Sequence, residues 1–399
     1  MKKLAFLIGL FAMVLFVGMA RATTYECDSC SLCSDILQNN ATSGDTVQLN
    51  ASVYLDNATT CIDGLRSGVT FDCNGFIINC SGWIPPNSAG IGDSASQQDY
   101  TIKNCVIKDG YHGIRLMSNY NITIMNVTVT NSSSSYAIFI WDINNSRLID
   151  VNSSYNTGSG FYIGWTSKRT PFVTGLYMSN VTAIGNGYDG IWISNMVSSY
   201  LTGLYIEGNN PNNYTTDGGL RFDPVHRNVS DSVVTNSIIL NNFNGISLHS
   251  ASYFFNNLTF YNNIFNNSVN VYFGDPYDVS WNSSTSGNFW AYPNGTGYSE
   301  TCNDTNHDGI CDDSYVFDNN TDYFPLTFAS LPPAPPSRIS ETIPFPFNYL
   351  AGIALGFGLI ILIIGTLYEV KPEELMKGDT FIAIIIGIVI VAVFIAAIF

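Results

Sequence analysis

The chain has 399 residues, a formal net charge of −16 and only 12% charged residues, about half the share usual in a soluble globular protein. That acidity excludes a nucleic-acid partner, because phosphate binding needs Lys/Arg patches, and 46% apolar with 14% aromatic residues excludes a disordered chain. The 43 Asn and the 18 Asn-x-Ser/Thr sequons between Asn40 and Asn319 point to a chain that passes through a glycosylating, extracytoplasmic route.

Lys2 and Lys3 precede an apolar run, Leu4 to Ala20, and a small-x-small site, Ala20-Arg21-Ala22. This predicts a secretory signal peptide over residues 1–22. Residues 23–68 hold Cys27, Cys30, Cys33 and Cys61 and read as a Cys-rich N-terminal cap. Nine Cys in an exported chain predict disulfides with one thiol left over.

Residues 69–280 repeat. A small residue, then apolar, any, apolar recurs at Gly113-Ile114-Arg115-Leu116, Ala137-Ile138-Phe139-Ile140, Gly160-Phe161-Tyr162-Ile163, Gly190-Ile191-Trp192-Ile193, Gly219-Leu220-Arg221-Phe222 and Gly245-Ile246-Ser247-Leu248. A worn copy follows at Asn270-Val271-Tyr272-Phe273. About ten residues before each mark lies a second element opened by Asn, as in Asn104-Cys105, Asn126-Val127, Asn180-Val181, Asn236-Ser237 and Asn257-Leu258. The runs are short, alternating and β-branched, with no helical period. One such coil cannot bury its apolar face alone, but a stack can. The expected fold is all-β, a parallel β-helix of about 8–10 coils. Asn at the repeated turns suits a left-handed backbone, and stacked Asn side chains can hydrogen-bond to one another. Cys73 and Cys105 occupy near-equivalent places on successive coils, so they are the expected pair.

Residues alternate between strand faces. With the second and fourth residues of each mark inside, the third points outward. Down the stack this gives Arg115, Phe139, Tyr162, Trp192, Arg221, Ser247 and Tyr272, with Trp165 and Asp223 beyond the stripe and Asp189 and Asp217 before it. An exposed line of rings suits the apolar faces of sugars, and nearby carboxylates suit their hydroxyls. The ligand-binding candidates are Arg115, Phe139, Tyr162, Trp165, Trp192 and Arg221. The catalytic candidates, should the face cleave glycosidic bonds, are Asp189, Asp217 and Asp223. The plainer alternative is cross-strand packing or a protein partner.

Residues 281–330 form the expected C-terminal cap. Cys302 and Cys311, an expected disulfide, bracket Asp304-x-Asn306-x-Asp308-Gly309-Ile310-x-Asp312. Side-chain oxygens at positions 1, 3, 5 and 9 with the Ile310 carbonyl suit a structural Ca²⁺, and Asp313, Asp318 or Asp322 would complete the shell. Residues 331–348 are a Pro-rich stalk. Within 349–399, Tyr349–Tyr368 and Thr380–Phe399 are two apolar segments long enough to span a bilayer. They have no charge inside and Lys371 and Lys377 between them, and this predicts a transmembrane hairpin anchor with the β-helix outside the cell.

The run Val69-Thr70-Phe71-Asp72-Cys73-Asn74-Gly75-Phe76-Ile77-Ile78 resembles the opening coil of NosD-like and pectate-lyase-like right-handed β-helix proteins. Gly287-Asn288-Phe289-Trp290, with Asn320 to Leu326, is similar to the end of NosD-like repeats in archaeal cell-surface proteins. The resemblance implies a right-handed helix and is silent on chemistry, because the repeat serves both surface proteins and polysaccharide-acting enzymes. Copper, which the family name implies, is not expected, since His112, His226, His249 and His307 share no spacing. The expected function is a membrane-anchored surface protein that binds polysaccharide or a surface-protein partner, or serves the envelope structurally. The alternative is a polysaccharide hydrolase or lyase acting on the same face.

Overall fold

The computed structural model describes residues 22–328 except 56–58, 82–85, 94–96, 165–172, 226–227, 250–252 and 275–277. The expected signal peptide, stalk and two spans lie outside the described residues apart from Ala22. Among those described, no helix is long and apolar enough to cross a membrane.

Among the described residues, twenty-nine strands join in one continuous parallel system, and the chain winds through about ten coils of a right-handed-type β-solenoid. The coils start earlier than the repeat marks suggest. Thr24–Cys27 already pairs with Thr46–Leu49, which pairs with Thr70–Asp72. Three faces run the length of the stack. The first passes through Thr70–Asp72, Tyr177–Ser179 and Tyr200–Thr202. The second passes through Thr182–Ile184, Tyr205–Glu207 and Ile238–Leu240. The third carries the repeat marks, from Ala89–Gly92 and His112–Tyr120 to Val269–Phe273. Inward residues of the third face, such as Ile114, Ile138, Phe161, Ile191, Leu220 and Ile246, are fully buried. Alternation at period two, repeated in register every coil, puts the inward apolar side chains against their equivalents above and below.

Asparagine does two different jobs. At the corners Asn104, Asn126, Asn180, Asn236 and Asn257 have φ between 52° and 56°, the left-handed region that Asn tolerates better than other non-glycine residues. There Asn126 Nδ2 donates to Asn104 Oδ1 at 3.0 Å. Inside the coil runs a second, buried ladder. Asn156 Nδ2 donates to Asn186 Oδ1 at 2.9 Å, Asn186 to Asn209 at 2.9 Å, Asn209 to Asn242 at 3.1 Å and Asn242 to Asn267 at 3.0 Å. The ladder explains why the marks from Gly160 to Gly245 open with glycine, whereas at Gly113 the close neighbour is the Val129 side chain. A Cβ on Gly190 would sit 2.9 Å from Asn209 Nδ2, one on Gly219 2.7 Å from Asn242 Nδ2, and one on Gly245 2.4 Å from Asn267 Nδ2.

Both ends are closed. The helix Cys30–Asp35 lies at the top, held by Cys27–Cys33 and Cys30–Cys61, and Cys73–Cys105 ties the next coils as expected. Cys80 is the buried thiol left over, and burial pushes its pKa up to about 12. At the bottom, Trp281, Trp290 and Phe317 pack around Asp322 beneath the last coil. The Asp322 carboxylate accepts from Asn288 N at 2.7 Å, Trp290 Nε1 at 2.8 Å and Phe324 N at 3.0 Å.

Candidate functional site

The stripe is in the register its spacing predicts. Arg115 pairs with Phe139, Phe139 with Tyr162, Tyr162 with Trp192, Trp192 with Arg221, Arg221 with Ser247 and Ser247 with Tyr272. It is not the open aromatic line expected, however. Tyr162 is 1% exposed and Phe139 8%. Rings stacked every ~4.8 Å fill the space above the sheet with one another, and a residue outside the mark closes the rest. Tyr136, at the start of its strand, lies over Phe139, Tyr162 and Trp192 with centroids 5.4, 4.7 and 5.9 Å away. His112 stacks on Phe139 at 5.5 Å, and its Nδ1 is 2.6 Å from the Tyr136 carbonyl. Arg115 lies apart from Arg221 at the other end of the stripe, beside a cavity of about 280 Å³ lined also by Gly92, Asp93 and Thr60. Trp165 falls outside the described residues.

The three carboxylates singled out from sequence do come together, on an arginine of the stripe. Arg221 Nη1 is 2.9 Å from Asp217 and 3.8 Å from Asp189, and its Nη2 is 2.9 Å from Asp223. Its guanidinium lies over Trp192, 4.1 Å from the ring centroid. His249 Nδ1 is 3.6 Å from Asp223. Asp189 is fully buried and accepts from Gly218 N at 2.8 Å. Burial pushes its carboxyl up to about 7, with Arg221 acting against the shift and Asp217 adding to it. Burial raises Asp217 as well, again opposed by Arg221. Among the described residues, Arg221 Nε and Trp192 Nε1 are buried without a hydrogen-bond partner.

Two residues that the repeat did not mark lie in the turns that lead to Asp189 and Asp217. Tyr188 precedes Asp189, and Tyr214 lies three residues before Asp217 in a loop clamped by Asn210, whose Oδ1 accepts from Tyr214 N at 3.0 Å and whose Nδ2 donates to Tyr214 O at 2.8 Å. Their rings are 5.4 Å apart, and they are 38% and 47% exposed. Both sit in turns between strands, where no periodicity marks a residue; the only sequence signal was an aromatic beside a candidate Asp.

Buried titratable groups, Asp189 of the cluster among them, give stability a pH dependence. Burial holds Asp189 up near 7 and Asp322 near 6, against an ordinary 3.8. The folded chain therefore keeps protons that the unfolded chain releases near pH 4. The stability from these groups is full below that pH and is lost as pH rises through 6 and 7. His112 acts the other way. Burial lowers its pKa from 6.5 to about 4, so its contribution is lost as pH falls across that window. Two carboxyls outweigh one imidazole between pH 7.5 and 5. We expect the Tm to be roughly 2–6 °C higher at pH 5, and Asp189→Asn to flatten the profile; a profile that Asp189→Asn leaves unchanged would refute this assignment.

The expected calcium loop is closed on itself. Asp304 accepts from Asp308 N at 3.2 Å and Gly309 N at 3.0 Å, Asn306 donates to Asp308 at 3.0 Å, and Asp308 accepts from Ile310 N at 2.9 Å. Asp312 is turned to Thr305 N at 3.1 Å, and Asp322 belongs to the end cap, not to the loop. The Cys302–Cys311 disulfide is present. Among the described residues no three His, Cys, Asp or Glu side chains are placed to hold a metal ion. Copper has no fitting donor set among them. Eight Cys are in disulfides, Cys80 stays a buried thiol, and His112 is tied to the Tyr136 carbonyl under an aromatic stack.

Residues 34–295 match the family model described as periplasmic copper-binding protein (NosD). No curated protein matches the sequence. Among solved structures, an alginate lyase from Paenibacillus sp. str. FPU-7 aligns at 14% identity with TM-score 0.47, covering 68% of this chain and 97% of its own. The pectate lyase Pel9A aligns at 16% identity with TM-score 0.41, covering 63% and 74%. A polygalacturonase from Erwinia carotovora ssp. carotovora aligns at 14% with TM-score 0.33, covering 66% and 96%.

Proposed function

The chain belongs to the NosD family, and from that premise we propose that it is a glycan-binding β-helix held on the outer side of the cell membrane by its two C-terminal apolar segments. The binding place is the Arg221 end of the third face. One observation carries this reading: the turns that lead to Asp189 and Asp217, two carboxylates gathered on Arg221, also carry an exposed tyrosine pair, Tyr188 and Tyr214. Tyrosine rings offer the apolar face of a sugar a surface, and the charged oxygens and nitrogens of the cluster would fix its hydroxyls. Asp217 and Asp223 are each engaged by the same guanidinium, an arrangement for holding a ligand rather than for transferring protons. Screening the full-length protein in detergent on a glycan array supplies a ligand. Tyr188→Ala with Tyr214→Ala should then weaken binding about 10-fold, on ~1–1.5 kcal/mol for a ring contact, with unchanged Tm and no release of reducing ends. Unchanged affinity would remove the reading.

For the Asp304–Asp312 loop the proposal is a structural Ca²⁺, which would draw Asp304, Asn306 and Asp308 off their backbone partners onto one ion. Ca²⁺ added to chelator-treated protein is expected to raise its Tm by several degrees, and an unmoved Tm excludes the ion.

A further inference from the structure

We infer that the saccharide taken at the Arg221 site is neutral and hydroxyl-rich, and that the site discriminates against uronate and sulfate-bearing glycans; this rests on the glycan-binding reading above. The guanidinium, which would be the natural partner for an acidic sugar, is already engaged. Asp217 and Asp223 each lie 2.9 Å from it and Asp189 3.8 Å. An incoming carboxylate would have to displace one of them and would then face the others in a site 8% exposed at Arg221, where like charges are poorly screened. The chain as a whole carries −16, which opposes the approach of a polyanion as well.

What the site lacks is of another kind. Arg221 Nε–H and Trp192 Nε1–H are buried with no acceptor among the described residues, and buried donors are normally paired. Each needs one oxygen. Beside them, the Asp217 and Asp223 carboxylates can only accept. A hydroxyl both donates and accepts, so a row of hydroxyls meets both demands at once; a carboxylate or sulfate accepts only and leaves the Asp oxygens facing its charge. The exposed Tyr188–Tyr214 pair then supplies apolar contact that needs no charge on the ligand.

The test is a titration of the full-length protein, by calorimetry at pH 7.5, with neutral oligosaccharides (gluco-, manno- and xylo-oligomers) and with oligogalacturonate and oligomannuronate, each at 20 and 500 mM NaCl. At least one neutral oligomer should bind with an affinity that salt leaves within 2-fold, and the uronates should bind at least 10-fold more weakly at low salt. Uronates binding as tightly as any neutral oligomer would overturn the substrate class and leave the glycan-binding reading standing. No binding of either class would overturn both. Asp217→Asn, which removes one charge and keeps the shape, should narrow the neutral-to-uronate ratio at least 3-fold. An unchanged ratio in a variant with unaltered circular dichroism also overturns the inference, because a merely structural role for Asp217 would not move specificity.

Discussion

Replacing Arg221 by Leu should lower the unfolding free energy by about 3–5 kcal/mol at pH 7.5, the usual cost of stripping one partner from a buried ion cluster. Three carboxylates would be left around an apolar side chain, with Asp189 and Asp223 themselves buried. The loss should shrink at pH 5, because Asp189 is held up near 7 and takes up its proton readily. Adding Asp217→Asn and Asp223→Asn to Arg221→Leu should restore much of the stability, since the penalty lies in the uncompensated charge rather than in a lost contact. Urea unfolding of the wild-type chain and the two variants measures this, and a loss under about 1 kcal/mol for Arg221→Leu would mean that water reaches the cluster freely and screens it.

A loss of about 3 kcal/mol or more is expected from Asn209→Ala. Asn209 Oδ1 accepts from Asn186 N at 3.0 Å and Asn186 Nδ2 at 2.9 Å, while Asn209 Nδ2 donates to Ala183 O at 2.9 Å and Asn242 Oδ1 at 3.1 Å. Truncation orphans several buried groups at once, each costing about 1–3 kcal/mol. The corner Asn126, by contrast, is exposed, with φ of 52°. There Asn126→Ala should cost only about 1–2 kcal/mol, for the left-handed backbone, and Asn126→Gly should recover most of it. Each coil of a solenoid is stabilised mainly by its neighbours, so hydrogen exchange should place the Asn209→Ala loss in the coils around residues 183–242. Equal protection losses for Asn209→Ala and Asn126→Ala would show that the two ladders are energetically alike.

The repeat marks were a sound guide to anything that depends on strand parity. From Gly113-Ile114-Arg115-Leu116 onward they place Ile114 inside and Arg115 outside, and the coil-to-coil pairing of Arg115, Phe139, Tyr162, Trp192 and Arg221 follows. Near-equivalent positions on neighbouring coils also made Cys73 and Cys105 partners. Parity fails once side chains must share volume. Whether Tyr162 is open or closed depends on Tyr136, which lies outside the mark and reaches across three coils. Stacked, hydrogen-bonded Asn was expected at the turns, but that one ladder lies buried inside the coil was not legible, for a related reason. Asn186, Asn209 and Asn242 look like turn residues in sequence, but they follow the left-handed corner positions Gly185, Gly208 and Asn241 and so turn inward beneath the glycines of the marks.

The low charge and abundant Asn that stand out at the start thus divide between two levels. The sequence by itself determined the coil, its period, the inward and outward rows and the corners, because a backbone with a two-residue alternation and a left-handed residue at each bend has few ways to stack. Only the tertiary structure decided that Asp189, Asp217 and Asp223 meet on Arg221, that the exposed Tyr188 and Tyr214 rings meet each other, and that the aromatic stripe is closed. Those outcomes depend on where loops of unequal length, such as residues 209–218, return to the stack, and loop paths are set by hydrogen bonds and volume across coils, which no local period encodes.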